Sequence, residues 1–256
     1  MLKVGFIGLG TMGFPIAGHI SQSYKTAVFN RTTNKSQKWI SKFEGEVCES
    51  IKDLALKSNA IFLCLSEDKD IEEVVLGSDG ILEHLNEGTI LVDHSTTSID
   101  IATVICEHLL KKDSHYLDAP VSGGEAGAQN GTLSVMIGGD KGAYKEISSI
   151  FDCYSAFHKY MGPSGNGQLT KMINQICIAG LLQALAEAAS FSKKSGISSK
   201  DVLDVISKGA AQSWQMENRW DSMIDDQYNF GFAVDLMAKD LGIVSKFSKK
   251  IGANIS

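Results

Sequence analysis

Residues 3–13 read KVGFIGLGTMG, an apolar run that leads directly into three glycines spaced as G-x-G-x-x-G, namely Gly8, Gly10 and Gly13. The run predicts a β-strand, and the sequence PIAGHISQS that follows predicts a helix. The first glycine permits a tight turn, the second lets a pyrophosphate approach the backbone, and the third lets the helix pack on the strand. We therefore expect a dinucleotide at this turn, with a glycine turn formed only for packing as the alternative.

Short apolar runs alternate with helix-like stretches up to about residue 161. The candidate strands are KVGFIG, TAVFN, AIFLCLS, TILVDHS, HYLDAP and LSVMIGG. Because these runs are continuously apolar, they predict a mainly parallel sheet that helices cover on both faces. The fold class we expect is a Rossmann-type, doubly wound α/β domain.

The pattern changes after the sequence GPSG at residues 162–165. From Leu169 to Phe191 apolar residues recur at helical spacing, and no strand signal follows. We expect a dinucleotide-binding domain over residues 1–162 and an α-helical domain for substrate binding and dimerisation over residues 163–256. The chain ends in VSKFSKKIGANIS without a recognisable cap, so a truncated helical domain and a natural end both stay open.

Composition narrows the class of protein. The chain has 256 residues, of which 43% are hydrophobic and 21% charged, and a net charge of -6 without a basic block. These values are typical of a globular protein and give no sign of nucleic-acid binding. No apolar run approaches the roughly 20 residues of a membrane helix, and no signal peptide is recognisable. We therefore predict a cytoplasmic protein that binds neither membrane nor nucleic acid.

Cysteine and histidine usage gives no metal signature. The five cysteines are odd in number and widely spaced, which predicts reduced core residues. They are Cys48, Cys64, Cys106, Cys153 and Cys177. The six histidines are scattered, so we expect no metal site.

The end of the second strand bears on the choice of cofactor. An acidic residue here would bind the ribose hydroxyls of NAD, but the sequence reads VFNRTTNK, with Asn30, Arg31 and Thr32 at this place. The planar guanidinium of Arg31 suits the 2'-phosphate of NADP, and Lys35 adds positive charge. The sequence predicts NADP(H), with NAD as the alternative cofactor and a solvated surface arginine as the other interpretation of Arg31.

Ser122, Gly123 and Gly124 follow a strand in the sequence DAPVSGGEAGAQNGTL. Their backbone amides and the Ser122 hydroxyl can bind a carboxylate, because small residues at the carboxyl end of a strand leave room for a ligand. A glycine turn without a ligand is the alternative.

Three polar residues interrupt a predicted apolar helix in the sequence GNGQLTKMINQ. Lys171, Asn174 and Gln175 are spaced so that all three can project from one face. Desolvation disfavours the ammonium form of a lysine, which suits a group that exchanges a proton with substrate. A lysine that extends to solvent is the alternative interpretation.

Taken together, the motifs resemble the β-hydroxyacid dehydrogenase family, which includes 3-hydroxyisobutyrate dehydrogenases and tartronate semialdehyde and glyoxylate/succinic semialdehyde reductases. The sequences that carry the resemblance, in family order, are GFIGLGTMGFPIA, NRT, DHSTTS, DAPVSGGEAGAQNGTL, GNGQLTKMINQ and LMAKDLGI. The resemblance covers essentially the whole chain. It implies hydride transfer between NADP(H) and a small aldehyde or hydroxyacid that bears a carboxylate, with no metal.

The resemblance also implies roles for individual residues. Lys171 would be the catalytic acid/base, Asn174 would orient the substrate, and Ser122, Gly123 and Gly124 would bind its carboxylate. The residues that would contact the cofactor are Gly8, Leu9, Gly10, Thr11, Met12, Gly13, Asn30, Arg31, Thr32, Leu65, Ser66, Thr96 and Lys239.

Two other functions and an oligomeric state complete the expectations. An imine reductase would share the fold, although such enzymes carry another residue in place of Lys171, and a non-catalytic cofactor-sensing or scaffold protein belongs to a different class. The Ala-rich helix from Leu169 to Phe191 has more apolar surface than a small domain buries, which predicts a homodimer or homotetramer. Family members usually continue a few tens of residues past residue 256.

Overall fold

The computed structural model of the chain describes residues 2–228 and 233–255. It divides into two compact units, Met1–Lys171 and Met172–Ser256. The division falls within one long helix, so the two units are described separately.

The first unit contains a twisted, mainly parallel sheet. Over the described residues its strand order is β3-β2-β1-β4-β5-β6-β8-β7, and β9 pairs with β8. The strands are β1 (Lys3–Ile7), β2 (Lys25–Phe29), β3 (Glu46–Val47), β4 (Ala60–Leu63), β5 (Ile90–Asp93), β6 (His115–Asp118), β7 (Val121–Ser122), β8 (Leu133–Gly139) and β9 (Ser155–Gly162). The pairs β6·β8 and β7·β8 are antiparallel, and the others are parallel.

Helices cover both faces of this sheet. They are α1 (Gly13–Ser21), α2 (Thr33–Ile40), α3 (Ile51–Lys57), α4 (Asp68–Leu76), a 3-10 turn (Ile81–His84), α5 (Ile99–Leu110), α6 (Gly124–Asn130), α7 (Lys141–Phe151) and the start of α8 (Asn166–Ser195). Val4 and Phe6 of β1 pack into one apolar core and Ile7 into a second, because alternate residues of a strand face opposite sides of the sheet. The doubly wound α/β class expected from the sequence is therefore confirmed.

Three strands were missed by the sequence analysis. β3 and β7 have two residues each, too few for a periodic signal. β9 has the sequence SAFHKYMG and lies at an edge of the sheet, where Phe157 and Met161 are exposed. An edge strand with polar and exposed residues lacks the continuous apolar run that identifies a buried parallel strand.

The regular secondary structure of the second unit, over its described residues, is entirely helical. It consists of α8 from Met172 onward, α9 (Ser199–Ile206), α10 (Trp214–Ile224) and α11 (Val234–Ile251). Its small apolar core contains Leu185 and Ala189 of α8 and Met216 and Trp220 of α10.

Helix α8 corrects two expectations. By length and composition it is apolar enough to cross a membrane, although the sequence analysis found no such segment, because its apolar residues are interspersed with Asn, Gln, Gly and Ala rather than continuous. A single helix of this kind is weak evidence for a membrane. Cys177 on this helix is exposed rather than in the core, whereas all five cysteines are free thiols as expected.

Candidate active site

Five parallel strands end level with one another, which gathers the predicted loops of the first unit at one edge of the sheet. The last residues pair in register: Ile7 with Phe29 and with Leu63, Leu63 with Asp93, and Asp93 with Asp118. The segments that follow these residues contain the glycine loop, Asn30 to Thr32, Leu65 and Ser66, Thr96, and the approach to Ser122. In open α/β sheets this carboxyl edge is where ligands bind.

The glycine loop has a different constraint at each glycine. Gly8 has φ +99°, and a Cβ there would lie 2.3 Å from the carbonyl oxygen of Cys64. A Cβ on Gly13 would lie 2.0 Å from the carbonyl oxygen of Gly8, so the first turn of α1 packs directly on the loop. A Cβ on Gly10 would meet no protein atom within 4 Å. Gly10 therefore faces open space, as a loop that receives a pyrophosphate requires.

The start of α1 also fits an anion. Met12 is the N-cap residue, and its side chain makes no capping hydrogen bond. The amides of Phe14 and Ile16 already have partners in the loop, so it is chiefly the helix dipole that favours negative charge at this terminus. Thr11 is exposed and Met12 half-buried beside this terminus, while Leu9 is buried. The loop thus has the chemistry to bind the phosphates of a dinucleotide.

Asn30 connects the glycine loop to the end of β2. Its Oδ1 accepts a hydrogen bond from the Leu9 amide over 2.9 Å, and its Nδ2 donates to the Thr32 carbonyl over 3.2 Å. These bonds use one acceptor and one donor position of the Asn30 amide, so Asn30 shapes the two loops and keeps a second donor hydrogen and a second lone pair. Arg31 and Thr32 are exposed at the start of α2, where Thr32 is an N-cap residue without a side-chain capping bond.

The segment from Ser122 to Gly124 turns sharply between β7 and α6. Gly123 has φ +131° and Gly124 has φ +62°, conformations that other residues rarely adopt. Ser122 is half-buried, and both glycines are exposed. The turn brings two consecutive glycine amides to the start of α6, an arrangement suited to a carboxylate.

Lys171 is buried in the second turn of α8. Its side chain is 8% exposed, and its Nζ donates a hydrogen bond to the carbonyl oxygen of Val121 over 2.9 Å. Val121 directly precedes Ser122, so the ammonium group is held next to the turn just described. The structure places Lys171 beside Ser122–Gly124 and gives no support to the interpretation of a lysine that extends to solvent.

The first turn of α8 is fixed against β6 and β8. Asp118 accepts hydrogen bonds from the amide of Gly165 over 2.8 Å and from that of Gln168 over 2.9 Å. A Cβ on Gly167 would lie 2.3 Å from the Asp118 carbonyl oxygen, and one on Gly138 would lie 2.7 Å from the amide of Gly167. The glycines of GNGQ therefore allow the helix to begin in contact with the sheet.

Sequence reasoning missed two buried residues of this edge, Gln168 and Ser95. The Gln168 side chain accepts from the Thr97 amide over 3.1 Å and donates to the Ser95 carbonyl over 2.8 Å. Ser95 Oγ accepts from the Leu65 amide over 2.8 Å, which connects this loop to the one that carries Ser66. The only sequence signal was a glutamine within the motif, because the partners are backbone groups far away along the chain.

Two buried carboxyl groups lie beneath the site. Burial raises the pKa of Asp93 to about 7, although hydrogen bonds from Ser95 and Tyr116 partly oppose the shift. Burial likewise raises the pKa of Asp118 to about 6, opposed by the amides of Gly165 and Gln168. Burial lowers the pKa of His94 to about 4, so this histidine stays neutral between the Ala119 carbonyl and the Tyr154 hydroxyl.

Asn174 and Lys239 belong to one chain of polar contacts in the second unit. Asn174 donates to Gln175 over 2.8 Å, and Gln175 donates to a carboxylate oxygen of Asp240 over 2.7 Å. The Nζ of Lys239 lies 3.2 Å from the other oxygen of Asp240, which is 3% exposed. Sequence reasoning noted Asn174, Gln175 and Lys239 but missed Asp240, the buried charge that joins them.

Within the described residues, one group of side chains has the spacing of metal ligands, and it lies outside the candidate site. It consists of Glu46, Cys48 and Asp53. The ammonium group of Lys57 pairs with both carboxylates, 3.0 Å from Asp53. Burial and the nearby Asp53 raise the pKa of the Cys48 thiol to about 12, which makes it a poor ligand. These contacts do not favour a metal here.

The first-unit geometry defines a dinucleotide-binding protein, and comparison with known proteins identifies its family. The sequence profile of the NAD binding domain of 6-phosphogluconate dehydrogenase matches residues 3–162. A second profile, the NAD-binding domain of NADP-dependent 3-hydroxyisobutyrate dehydrogenase, matches residues 165–256. Together they span nearly the whole chain.

Relatives match over most of their length. An uncharacterised oxidoreductase of Shewanella frigidimarina is 48% identical over all of this chain and 88% of its own. A probable 3-hydroxyisobutyrate dehydrogenase-like protein of Arabidopsis thaliana is 36% identical over 98% of this chain and 75% of its own. The 2-hydroxy-3-oxopropionate reductase of Escherichia coli is 31% identical over 99% of this chain and 87% of its own.

Several solved structures of related proteins have a similar fold. A 3-hydroxyisobutyrate dehydrogenase from Salmonella typhimurium has a TM-score of 0.88 at 27% identity, over all of this chain and 90% of its own. Psf3 in complex with NADP+ and 2-OPP has a TM-score of 0.88 at 26% identity, over 95% of this chain and 86% of its own. An imine reductase from Pseudomonas, with a TM-score of 0.69 at 18% identity over 99% of this chain and 88% of its own, shows the shared fold alone.

The chain therefore belongs to the β-hydroxyacid dehydrogenase family. It is an NAD(P)-dependent oxidoreductase of the 3-hydroxyisobutyrate dehydrogenase type.

Proposed function

We propose that this protein is an NADP(H)-dependent reductase of small semialdehydes that carry a carboxylate, working in reverse on the corresponding hydroxyacids. The observation that carries the proposal is the buried ammonium group of Lys171, hydrogen-bonded to Val121 immediately before the Ser122–Gly124 turn. A proton donor and an anion-binding turn at the carboxyl edge of a dinucleotide-binding sheet are the parts that carbonyl reduction needs.

The carboxylate of the substrate is assigned to Ser122 and the amides of Gly123 and Gly124. Glycine tolerates the positive φ values that this turn requires, and the lack of Cβ atoms leaves the two amides accessible to a carboxylate. A hydrogen bond to a charged group contributes about 1.5–3 kcal/mol. This contribution selects carboxylates over neutral aldehydes of equal size.

Lys171 is the proposed acid/base. In the reductive direction its ammonium group donates a proton to the carbonyl oxygen, and in the oxidative direction its amine accepts one from the hydroxyl. When bound, the nicotinamide cofactor supplies or accepts the hydride. Asn174, three residues further along α8, is proposed to orient the substrate, and Lys239 to contact the cofactor.

The preference for NADP(H) over NAD(H) is proposed from the end of β2. No carboxylate stands at residues 30–32, Asn30 is hydrogen-bonded to Leu9 and Thr32, and Arg31 is exposed just before α2. A 2'-phosphate placed there would meet a guanidinium and the terminus of a helix. The Psf3 complex, which holds NADP+, supports the same preference by relationship.

A homo-oligomer formed through α8 is also proposed. In the single chain only 22% of the most apolar 18-residue stretch of this helix is buried. Ile173 and Phe191 are 62% and 75% exposed. Apolar surface of this extent along one helix is typical of an interface between subunits. The apolar face of α8 is therefore assigned to a second copy of the chain.

The test is a panel of semialdehydes with NADPH and NADH, together with the matching hydroxyacids with NADP and NAD. We expect turnover of carboxylate-bearing aldehydes with NADPH and little turnover of their methyl esters. Equal rates with ester and acid would contradict the anion site. A protein that binds NADPH but reduces none of the panel would instead be a cofactor sensor.

A further inference from the structure

We propose that Gln168 is a positioning residue for the reaction, and that its side-chain amide holds Thr96 and Lys171 in a fixed relation. This inference rests on the proposed function for the role of Lys171. It concerns a residue that the predicted site did not include.

The side-chain amide of Gln168 forms hydrogen bonds with the backbone on both sides of Thr96. Its Oε1 accepts from the amide of Thr97, and its Nε2 donates to the carbonyl of Ser95. Ser95 and Thr97 are buried, whereas the Thr96 between them is half-buried. Two hydrogen bonds from one planar group fix the orientation of this short segment, and with it the direction of the Thr96 side chain.

The other end of Gln168 is fixed as firmly. The backbone amide of Gln168 donates a hydrogen bond to the carboxylate of Asp118. The residue lies at the start of α8 and is only 1% exposed. Lys171 lies three residues later on the same helix, so the two side chains are neighbours on one face. Gln168 therefore connects the loop after β5, which carries Thr96, to the helix that carries the proposed proton donor.

The relative position of Thr96 and Lys171 matters because, in the reduction, the proton donor and the hydride donor must both reach the same carbonyl group. A displacement of about 1 Å between reacting groups can reduce the rate by about a hundredfold. The hydrogen bonds of Gln168 reach neither the glycine loop nor the Ser122–Gly124 turn, so its loss should reduce kcat with little effect on cofactor or substrate affinity.

The experiment compares Gln168→Met, which removes both side-chain hydrogen bonds at similar length, with Gln183→Met, the same change at an exposed glutamine of α8. Hydrogen–deuterium exchange of the peptide that covers residues 95–98 reports the two side-chain hydrogen bonds of Gln168 without reference to activity. We expect faster exchange of Thr97 and a kcat lower by about ten- to a hundredfold in Gln168→Met, with NADPH affinity and substrate KM nearly unchanged. Gln183→Met should behave like the unmodified protein.

Gln168→Glu supplies a second variant, whose folded fraction is measured by circular dichroism at each pH because a buried carboxyl destabilises the fold when it ionises. A neutral carboxyl can accept from Thr97 and donate to Ser95, whereas an ionised one can only accept. The ratio of kcat in this variant to kcat in the unmodified protein should therefore fall as pH rises from about 5 to 8, since burial raises the pKa of a carboxyl group into this range. The new carboxyl would lie close to Asp118, which accepts a hydrogen bond from the backbone amide of residue 168, and close to Lys171, so the change of the ratio with pH reports the coupled titration of these groups.

Unchanged exchange at Thr97 in folded Gln168→Met, or an unchanged kcat with faster exchange, would overturn the proposal. Failure of the unmodified protein to reduce any semialdehyde would overturn the proposed function and the catalytic part of this inference together. Retained turnover in Lys171→Ala would overturn the catalytic role of Lys171 and with it the positioning role proposed for Gln168, whereas exchange at Thr97 reports the hydrogen bonds of Gln168 independently of activity.

Discussion

The Nζ of Lys171 donates a hydrogen bond to the carbonyl oxygen of Val121 over 2.9 Å. Val121 pairs with Val135 of β8, so the acceptor is part of the sheet and cannot move freely. Three residues before it, Asp118 holds the first turn of α8 through two amides. The segment from β6 to β7 thus contacts the helix at its start and at its proposed proton donor.

The Ser122 hydroxyl is expected to bind the substrate carboxylate. Ser122→Ala should lower kcat/KM for a semialdehyde acid by about ten- to a hundredfold, mostly through KM, because a hydrogen bond to a charged group is lost. Steady-state kinetics with the acid and its methyl ester would measure this. Ser41→Ala, at an exposed serine whose hydroxyl donates to the carbonyl of Lys38, is the control. An equal loss with the ester would place Ser122 outside the anion site.

Arg31 is expected to select NADP(H). Arg31→Asp should weaken NADPH binding by about ten- to over a hundredfold and favour NADH, because a charge-assisted phosphate contact becomes a repulsion. The ratio of kcat/KM for the two cofactors is the measurement, and Lys52→Asp at an exposed position of α3 controls for the change in charge. An unmodified enzyme without preference between the cofactors would contradict the assignment.

The sequence predicted the parts of the fold that local patterns encode. The buried parallel strands and the glycine loop follow from continuous apolar runs and from backbone positions such as Gly8 that only glycine tolerates. Positive φ at Gly123 and Gly124 likewise agrees with the turn that was predicted there.

The missed features depend on contacts between distant residues. Edge strand β9 is stabilised by pairing with β8 rather than by its own apolar pattern. The Gln168 side chain binds backbone groups more than seventy residues away along the chain. The part that Asp240 plays in the site becomes visible only from its hydrogen bond with Gln175. Such partners carry no periodic signal, so a single sequence cannot identify them.

The buried carboxyl of Asp93 should make stability depend on pH. Its pKa is about 7 in the folded protein and near the ordinary value when unfolded, so the folded state holds its proton more tightly. The contribution of Asp93 to stability is therefore fully present below its unfolded pKa and is lost as pH rises through about 4 to 7, with Asp118 acting in the same direction and His94 in the opposite one. Urea unfolding across this range should show a smaller fall for Asp93→Asn, but an unaltered one for Asp113→Asn at an exposed site. Equal slopes in Asp93→Asn and the unmodified protein would refute this.

The exposed apolar face of α8 should hold subunits together. Phe191→Glu should lower the molar mass in solution, as measured by light scattering, because a charge at an apolar interface is costly to desolvate. Leu110→Glu introduces the same charge at a 58% exposed leucine of α5 and should leave the mass unchanged. A monomeric unmodified protein would count against the assignment.

The most direct test of the whole account is turnover by Lys171→Ala measured beside NADPH titration of the same variant. Loss of a positioned acid/base should lower kcat by about 10² to 10⁴ while NADPH affinity stays nearly unchanged, because the glycine loop is intact. Lys171→Arg should not restore activity, since a guanidinium does not release its proton near neutral pH. Lys159→Ala, at an exposed lysine of β9, should retain full activity. Retained turnover in Lys171→Ala would contradict the account and assign proton transfer to another group.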